Sequence, residues 1–268
     1  MEKTGIRTSK RARNRSKGEP ECPMAAPEVP RIGVYFEILS SRLKDDAFWF
    51  RGHADIEWEL IPSALRYPEK GKRDMALRLV SEFKRFAEMK LQRPPRVEEE
   101  LRWIQLARHY GLPTRLLDWT RNAAVALYFA CCDAPDKDGV VFGLDPVELN
   151  RRVEPKKPRV FDPNLDAKVI ERYLCLDGKQ TRPGLRTVAI DPTWNSERIV
   201  VQQGVFTIAG SESFTLTSKE ASSLVYVRIK QKHKVRLLRE LERVGANEMA
   251  LFPELEHTCS YLTKKANL

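Results

Sequence analysis

Residues 105–132 read QLARHYGLPTRLLDWTRNAAVALYFACC, and the fold is organised around them. Trp103, Leu106, Ala107 and Tyr110 recur at i, i+3, i+4 and i+7, the spacing of an amphipathic helix that ends inside the stretch. Gly111 stops that helix, and Pro113 opposes an immediate restart. Thr114 to Thr120 then reads as a short polar turn that holds Arg115, Asp118, Trp119 and Thr120 in apolar surroundings. Asn122 is suited to cap the next helix, whose AAVALYFACC run is apolar on nearly every face. Such a helix lies in the middle of a domain. A polar turn between two buried helices is what a rigid site needs.

The rest of the 268-residue chain is long enough to bury a substantial core around this element. Hydrophobic content of 42% and charged content of 31% describe an ordinary globular protein. No apolar run reaches the roughly 18 to 20 residues of a membrane span. The basic start lacks the apolar segment of a secretory signal, so no membrane partner or export is expected. Five cysteines, two of them adjacent at Cys131 and Cys132, form no disulfide framework and suit a reducing compartment. The expected location is cytoplasmic.

The net charge of +10 is unevenly spread, because residues 1–18 carry seven basic side chains against the single acid Glu2. Residues 1–30 read as a disordered, basic and Pro-rich tail, and 31–268 as the folded domain. Such an arm can contact nucleic acid weakly and with strong salt dependence. It can equally be a solvated extension, with Met24 as an alternative start. The remainder is not basic enough to argue for nucleic-acid binding by itself.

Outward from the central stretch, helices and strands alternate. Residues 34–43 have helical spacing, with Val34, Ile38 and Leu39 on one face. Residues 47–53, AFWFRGH, read as a strand with Trp49 and Arg51 pointing one way and Phe48 and Phe50 the other. Gly52 permits a close backbone approach beside Arg51. Arg51 can grip a phosphate or carboxylate with its planar fork, or pair structurally with Asp55 or Glu57. A helix from Asp74 puts Leu77, Val80, Phe83, Phe86, Ala87 and Met89 near one stripe. Arg102, Gln105 and His109 share a face of the following helix. Residues 140–144 read as a strand and 146–153 as a brief helix, with another over 167–175. Residues 198–210 contain a strand rich in β-branched residues, with a bulge or bend at Gly204 and with Gln202 and Gln203 as the polar residues in the middle of the run. A strand from Leu224, a helix with Val235, Leu238 and Leu241 on one side, and a closing helix complete the chain. The fold class is α+β, a single domain with a mixed or split β-sheet flanked by helices.

Standard catalytic motifs are missing: there is no GxGxxG, GxxxxGK[ST], HExxH or GxSxG. The histidines and cysteines lack metal-ligand spacing, so no metal is expected. Cys131 and Cys132 sit in an apolar helix, where thiols are usually inert.

FWFRGH at 48–53, HYGLPTRLLDWT at 109–120 followed by ALYFA, and LFPELE at 251–256 together resemble the FRG domain, named after its Phe-Arg-Gly motif. The resemblance spans roughly residues 34–265. The chain departs from the family pattern at Arg108, where glutamine is usual, and at His257, where glycine is usual. The layout also resembles ADP-ribosyltransferases that place an arginine on an early strand, a serine or threonine before an AxxFA-like helix, and a glutamate on a later strand. That resemblance implies an ADP-ribosyltransferase-like fold with NAD as substrate and Arg51, Thr120 and Gln203 as catalytic residues. Arg51 would bind the diphosphate and Thr120 would orient the nicotinamide ribose. Gln203 would hold the ribose 2′-hydroxyl, without the negative charge of a glutamate. Gly52, His53, Gln105, His109, Arg115, Asp118 and Gln202 would complete the ligand site.

The competing class is a non-catalytic sensor in which Arg51, Arg115 and His109 grip a nucleotide, a phosphate or a nucleic-acid end. For Arg115 and Asp118 a third reading applies, a buried salt bridge that fixes the turn. The transferase reading requires Arg51, Thr120 and Gln203 to converge on one cleft.

Overall fold

In the computed structural model, which describes residues 27–43, 47–174, 184–211, 215–216 and 224–266, the fold is built outward from the apolar helix of the central stretch. The basic tail to residue 26 and the end of the expected 167–175 helix lie outside those residues. The helices are α1 Ile32–Arg42, α2 Lys70–Glu88, α3 Glu100–His109, α4 Ala123–Cys131, α5 Pro146–Arg151, α6 Ala167–Ile170, α7 Glu197–Val201, α8 Gln231–Arg243, α9 Glu248–Leu251 and α10 Leu255–Lys265. The strands are β1 Trp49–His53, β2 Leu116–Thr120, β3 Gly139–Leu144, β4 Val188–Ile190, β5 Gly204–Ile208 and β6 Val225–Ile229.

Asn122 caps α4 as its sequence position suggests, its Oδ1 accepting from the backbone N–H groups of Ala124 and Val125. Val125, Ala126, Leu127, Ala130 and Cys131 are buried, so α4 is covered on several sides at once. It lies on β1, and Gly52 makes that possible. A Cβ at Gly52 would stand 1.9 Å from the Ala126 carbonyl oxygen and 2.6 Å from the Ala130 nitrogen. The glycine of the Phe-Arg-Gly run is there because a helix backbone occupies the space of a side chain.

The strands form one six-stranded sheet in the order β4-β5-β2-β1-β3-β6, and every named pair is antiparallel. The parallel contact seen among the described residues is an isolated bridge between Phe161 and Ile190. The architecture is therefore α+β in a single domain, and the sheet is one continuous antiparallel sheet, neither mixed nor split as expected. Its sparsest pairing is in the middle. β1 pairs with β3 along its whole length but with β2 through the single register pair Phe50↔Thr120. Side-chain alternation sends Phe50 into the core beneath α1, α4 and α8, and Trp49 into a separate cluster with Leu117, Trp119, Leu144 and Val205.

Several expectations are corrected. Residues 116–120 are a central strand, not a polar turn, because β5 pairs with them at every position. The strand expected within 198–210 is β5, and the start of that run is helical, in α7. Gln203 has a φ of +48° and ends the helical turn, so Gln202 and Gln203 lie off the strand. In α2 the buried residues are Ala76, Leu77, Val80 and Ala87, while Phe86 and Met89 are exposed. In α8 the buried face is Lys234, Leu237 and Leu241, and Val235 is exposed. The Lys234 ammonium is fully occupied, donating to the carbonyls of Ala54 (2.6 Å), Asp133 (3.0 Å) and Ala134 (2.8 Å). It ties α8 to the ends of β1 and α4.

Candidate functional site

Arg51 reaches from β1 across to β2 with its guanidinium. Its Nη1 donates to the main-chain carbonyl of Asp118 at 2.6 Å and stands 3.8 Å from the Asp118 carboxylate. Its Nε donates to His53 Nε2 at 2.8 Å. Burial is the largest influence on Arg51 and brings its pKa down to about 10, with Asp118 pulling upward and Arg108 and Arg66 pushing further down. His53 is buried, with Nδ1 at 3.0 Å from the Trp58 carbonyl and edge-on ring contacts to Trp58 and Phe142. Burial, then the Arg51 charge, push its pKa down to about 3.

Arg108 of α3 completes the group. Its Nε and Nη2 form a two-point pair with the two oxygens of Asp118, and its Nη1 donates to Ser63 Oγ at 3.2 Å. Ser63 Oγ also accepts from the Thr114 N–H. Burial disfavours ionisation of both partners. Mutual attraction outweighs it, so Arg108 lies above its ordinary pKa and Asp118 below its own. Arg66 is near enough that burial, followed by the Arg108 charge, lowers its pKa against the pull of Asp118. Two guanidinium groups thus contact one carboxylate that is 45% exposed, and the Arg66 charge, whose Nε donates to the Ile61 carbonyl, acts on the group from further off. The excess of positive charge suits an anion.

The other expected site residues disperse. Thr120 Oγ1 donates to the Gln202 carbonyl at 2.6 Å and accepts from the Asn122 N–H at 2.9 Å. Its hydroxyl is thereby held between β2, the α7–β5 turn and the cap of α4. The Gln203 carbonyl accepts from the Arg121 N–H at 3.0 Å, and Gln202 Nε2 donates to the Leu251 carbonyl at 2.9 Å. Thr120 and the two glutamines therefore meet. Arg51 follows Phe50, the register partner of Thr120, and its guanidinium is taken up by Asp118 and His53. Gln105 Oε1 accepts from the N–H and the hydroxyl of Thr193. His109 Nε2 stands 3.8 Å from Glu254, which also pairs with Arg198.

The expected Arg115–Asp118 salt bridge is not formed. With residues 116–120 in a strand, positions three apart point to opposite faces. Arg115 Nη1 donates to the carbonyls of Ala209 (3.0 Å) and Gly210 (3.3 Å), while Asp118 takes Arg108 and Arg51. Arg51 likewise meets His53 and Asp118, while Asp55 accepts from the Glu57 N–H. Sequence reasoning missed Arg66, Ser63 and the partner role of Arg108. The signal for Arg108 was its departure from the family's usual glutamine. No group of three metal-ligating side chains is found among the described residues.

The FRG domain family model matches residues 46–139, from the turn before β1 to the first residue of β3. No curated protein and no solved structure matches the chain. Arg51, Gly52, His53, Ser63, Arg66, Arg108, Asp118 and Thr120 all fall inside the matched segment, whereas Gln202, Gln203 and Glu254 fall outside it. The motif residues and the arginine cluster they build both fall in residues 46–139, the segment that matches the FRG domain.

Proposed function

We propose that the domain is a non-catalytic receptor for a phosphate-bearing nucleotide, held by Arg51, Arg66 and Arg108 around Asp118. The observation that carries this reading is the imbalance of charge beside β1 and β2, where Arg51 and Arg108 share one half-exposed carboxylate and feel the further positive charge of Arg66. A phosphate would take the fork geometry that Asp118 takes now. Calorimetric titration with ADP, ADP-ribose, NAD and inorganic phosphate tests it. Affinity should fall with salt and fall again in Arg51→Ala and Arg66→Ala. Absence of binding by all four ligands sinks the reading.

A second reading, NAD-dependent ADP-ribosyl transfer, is supported by Arg51 on β1 and by Thr120 at the end of β2 beside the Gln202–Gln203 turn. In that reaction the bond from nicotinamide nitrogen to ribose C1′ breaks, and nicotinamide leaves with the electron pair. An acceptor nucleophile then bonds C1′ and releases its proton. Glutamine in place of a charged carboxylate, and a Thr120 hydroxyl committed to main-chain groups, weigh against it. Incubation with labelled NAD and a pool of protein and nucleic acid separates the two. Label transfer lost in Arg51→Ala supports the enzyme, and binding without transfer supports the receptor.

No helix among the described residues is long and apolar enough to cross a membrane. Cys131, Cys132 and Cys259 are free thiols, in keeping with a cytoplasmic location. The basic tail would add weak, salt-sensitive nucleic-acid contact.

A further inference from the structure

A second cleft, of about 770 Å³, opens between α3, the segment 194–198 and the segment 253–256. Its volume is within the range of small-molecule sites. Tyr110 and Trp194 line it and remain 61% and 60% exposed, large aromatic surface left facing water.

Around these rings stand polar groups whose hydrogen-bonding capacity is half used. Glu254 gives Oε1 to Arg198 at 2.9 Å and 2.8 Å, and leaves Oε2 buried without a partner. Asn195 gives Nδ2 to the Arg102 carbonyl at 3.0 Å, and leaves Oδ1 without one. His109 Nδ1 and Arg102 Nε are orphaned in the same way. Four of the six buried side-chain atoms without a partner among the described residues belong to residues lining this cleft. A fifth, Gln105 Nε2, comes from the same helix one turn before His109. Buried polar atoms rarely stay unpaired in a native protein, and each one left so costs about 1–3 kcal/mol. Here one atom of each head group is anchored to the scaffold and the other is left over. These leftover atoms belong to side chains of the cleft wall, where a small side-chain movement would present them to a ligand.

The ligand chemistry follows from what is left over. Arg102 and Arg198 already pair with Glu99 and Glu254, so the cleft has no concentrated positive charge comparable to that around Asp118. It offers flat aromatic surface together with both donors and acceptors. We propose that the cleft is a second ligand site that takes a nucleobase, stacked on Tyr110 or Trp194 and read along its edge by Asn195 and Glu254. Aromatic stacking is worth about 1–3 kcal/mol per base. The proposal does not depend on the anion site, because a nucleoside without phosphate satisfies it.

Calorimetry with adenosine, guanosine, cytidine and uridine tests it, with ribose 5-phosphate as the control lacking a base. At least one nucleoside should bind while ribose 5-phosphate does not compete. Trp194→Ala should weaken that binding about tenfold or more. Asn195→Ala should change which base is preferred, and Lys72→Ala, on the exposed side of α2, should leave affinity unchanged. Both substituted side chains reach the surface, and circular dichroism would confirm that the variants fold. If no nucleoside binds, or if neither Trp194→Ala nor Asn195→Ala alters the binding, the proposal is overturned. Tyr110→Ala gives a second test of the stacking surface, and an unchanged affinity in both ring variants would also overturn it.

Discussion

The Nε–H of Arg51 donates to Nε2 of His53 at 2.8 Å, two residues along the same strand. That bond fixes the imidazole tautomer. Nε2 must be an acceptor, so the proton sits on Nδ1 and is donated to the Trp58 carbonyl at 3.0 Å. A cation at His53 would be buried against the Arg51 charge, which is why its pKa falls to about 3. An unfolded histidine takes up its proton near pH 6.5. Between those values the unfolded chain binds one proton more than the native one at this site, so stability falls as pH falls. The slope is about 1.4 kcal/mol per pH unit per proton. His109, lowered first by burial and then by Arg198, contributes with the same sign. Urea unfolding between pH 6.5 and 5, above the range where paired carboxylates titrate, should show this slope. His53→Gln should reduce it by about one proton. An unchanged slope would refute a neutral, Arg51-bonded His53.

The same strand makes a sharper steric prediction at Gly52. An added methyl meets helix backbone at 1.9 Å and 2.6 Å, where no side chain can move aside. Gly52→Ala should therefore cost about 3 kcal/mol or more. Thermal unfolding would show a large fall in midpoint or loss of folded protein. A near-native midpoint would mean that α4 does not rest on β1 as described.

Local signals explain which parts of this fold were legible beforehand. The cap at Asn122 and the all-round apolar character of α4 are properties of contiguous residues, and both were readable. β2 was not, because a central strand covered on both faces loses its alternation and Asp118 makes it look like a turn. The 198–210 run misled in the opposite direction. Its β-branched residues favour a strand, but α7 packs against β5 and the positive φ at Gln203 separates them. The buried face of α8 includes Lys234 in place of the expected Val235, because its ammonium is held by three main-chain carbonyls. In the site, Arg51 could be singled out from its own strand. Its partners Arg108 and Arg66 are 57 and 15 residues away, and only the tertiary fold brings them to it.

Thr120 separates a scaffolding role from a chemical one. Its hydroxyl links the Gln202 carbonyl to the Asn122 N–H. Thr120→Val keeps the shape but leaves both groups unmatched, at a cost of about 1–3 kcal/mol. Thr120→Ser keeps the hydroxyl and should be within about 1 kcal/mol of the parent. Chemical denaturation of the two variants checks this. Equal stabilities would show that the hydroxyl is not structural and would return Thr120 to the catalytic reading.

Arg108 and Asp118 give opposite predictions for binding although they share one ion pair. Arg108→Gln, which restores the residue usual in the family, removes a two-point charge-assisted pair and leaves Asp118 to Arg51. Because Asp118 is nearly half exposed, solvent screening limits the loss to about 1–2 kcal/mol. One guanidinium fewer should also weaken phosphate binding. Asp118→Asn is destabilising too, since it removes the charge that offsets three mutually repelling cations. Yet it should strengthen phosphate binding, because the carboxylate and the ligand compete for the same guanidinium forks. Calorimetry on both variants therefore expects affinity to move down in one and up in the other while both melt earlier than the parent. Weaker binding in Asp118→Asn would mean that the carboxylate contacts the ligand directly, as a catalytic or ribose-binding group would.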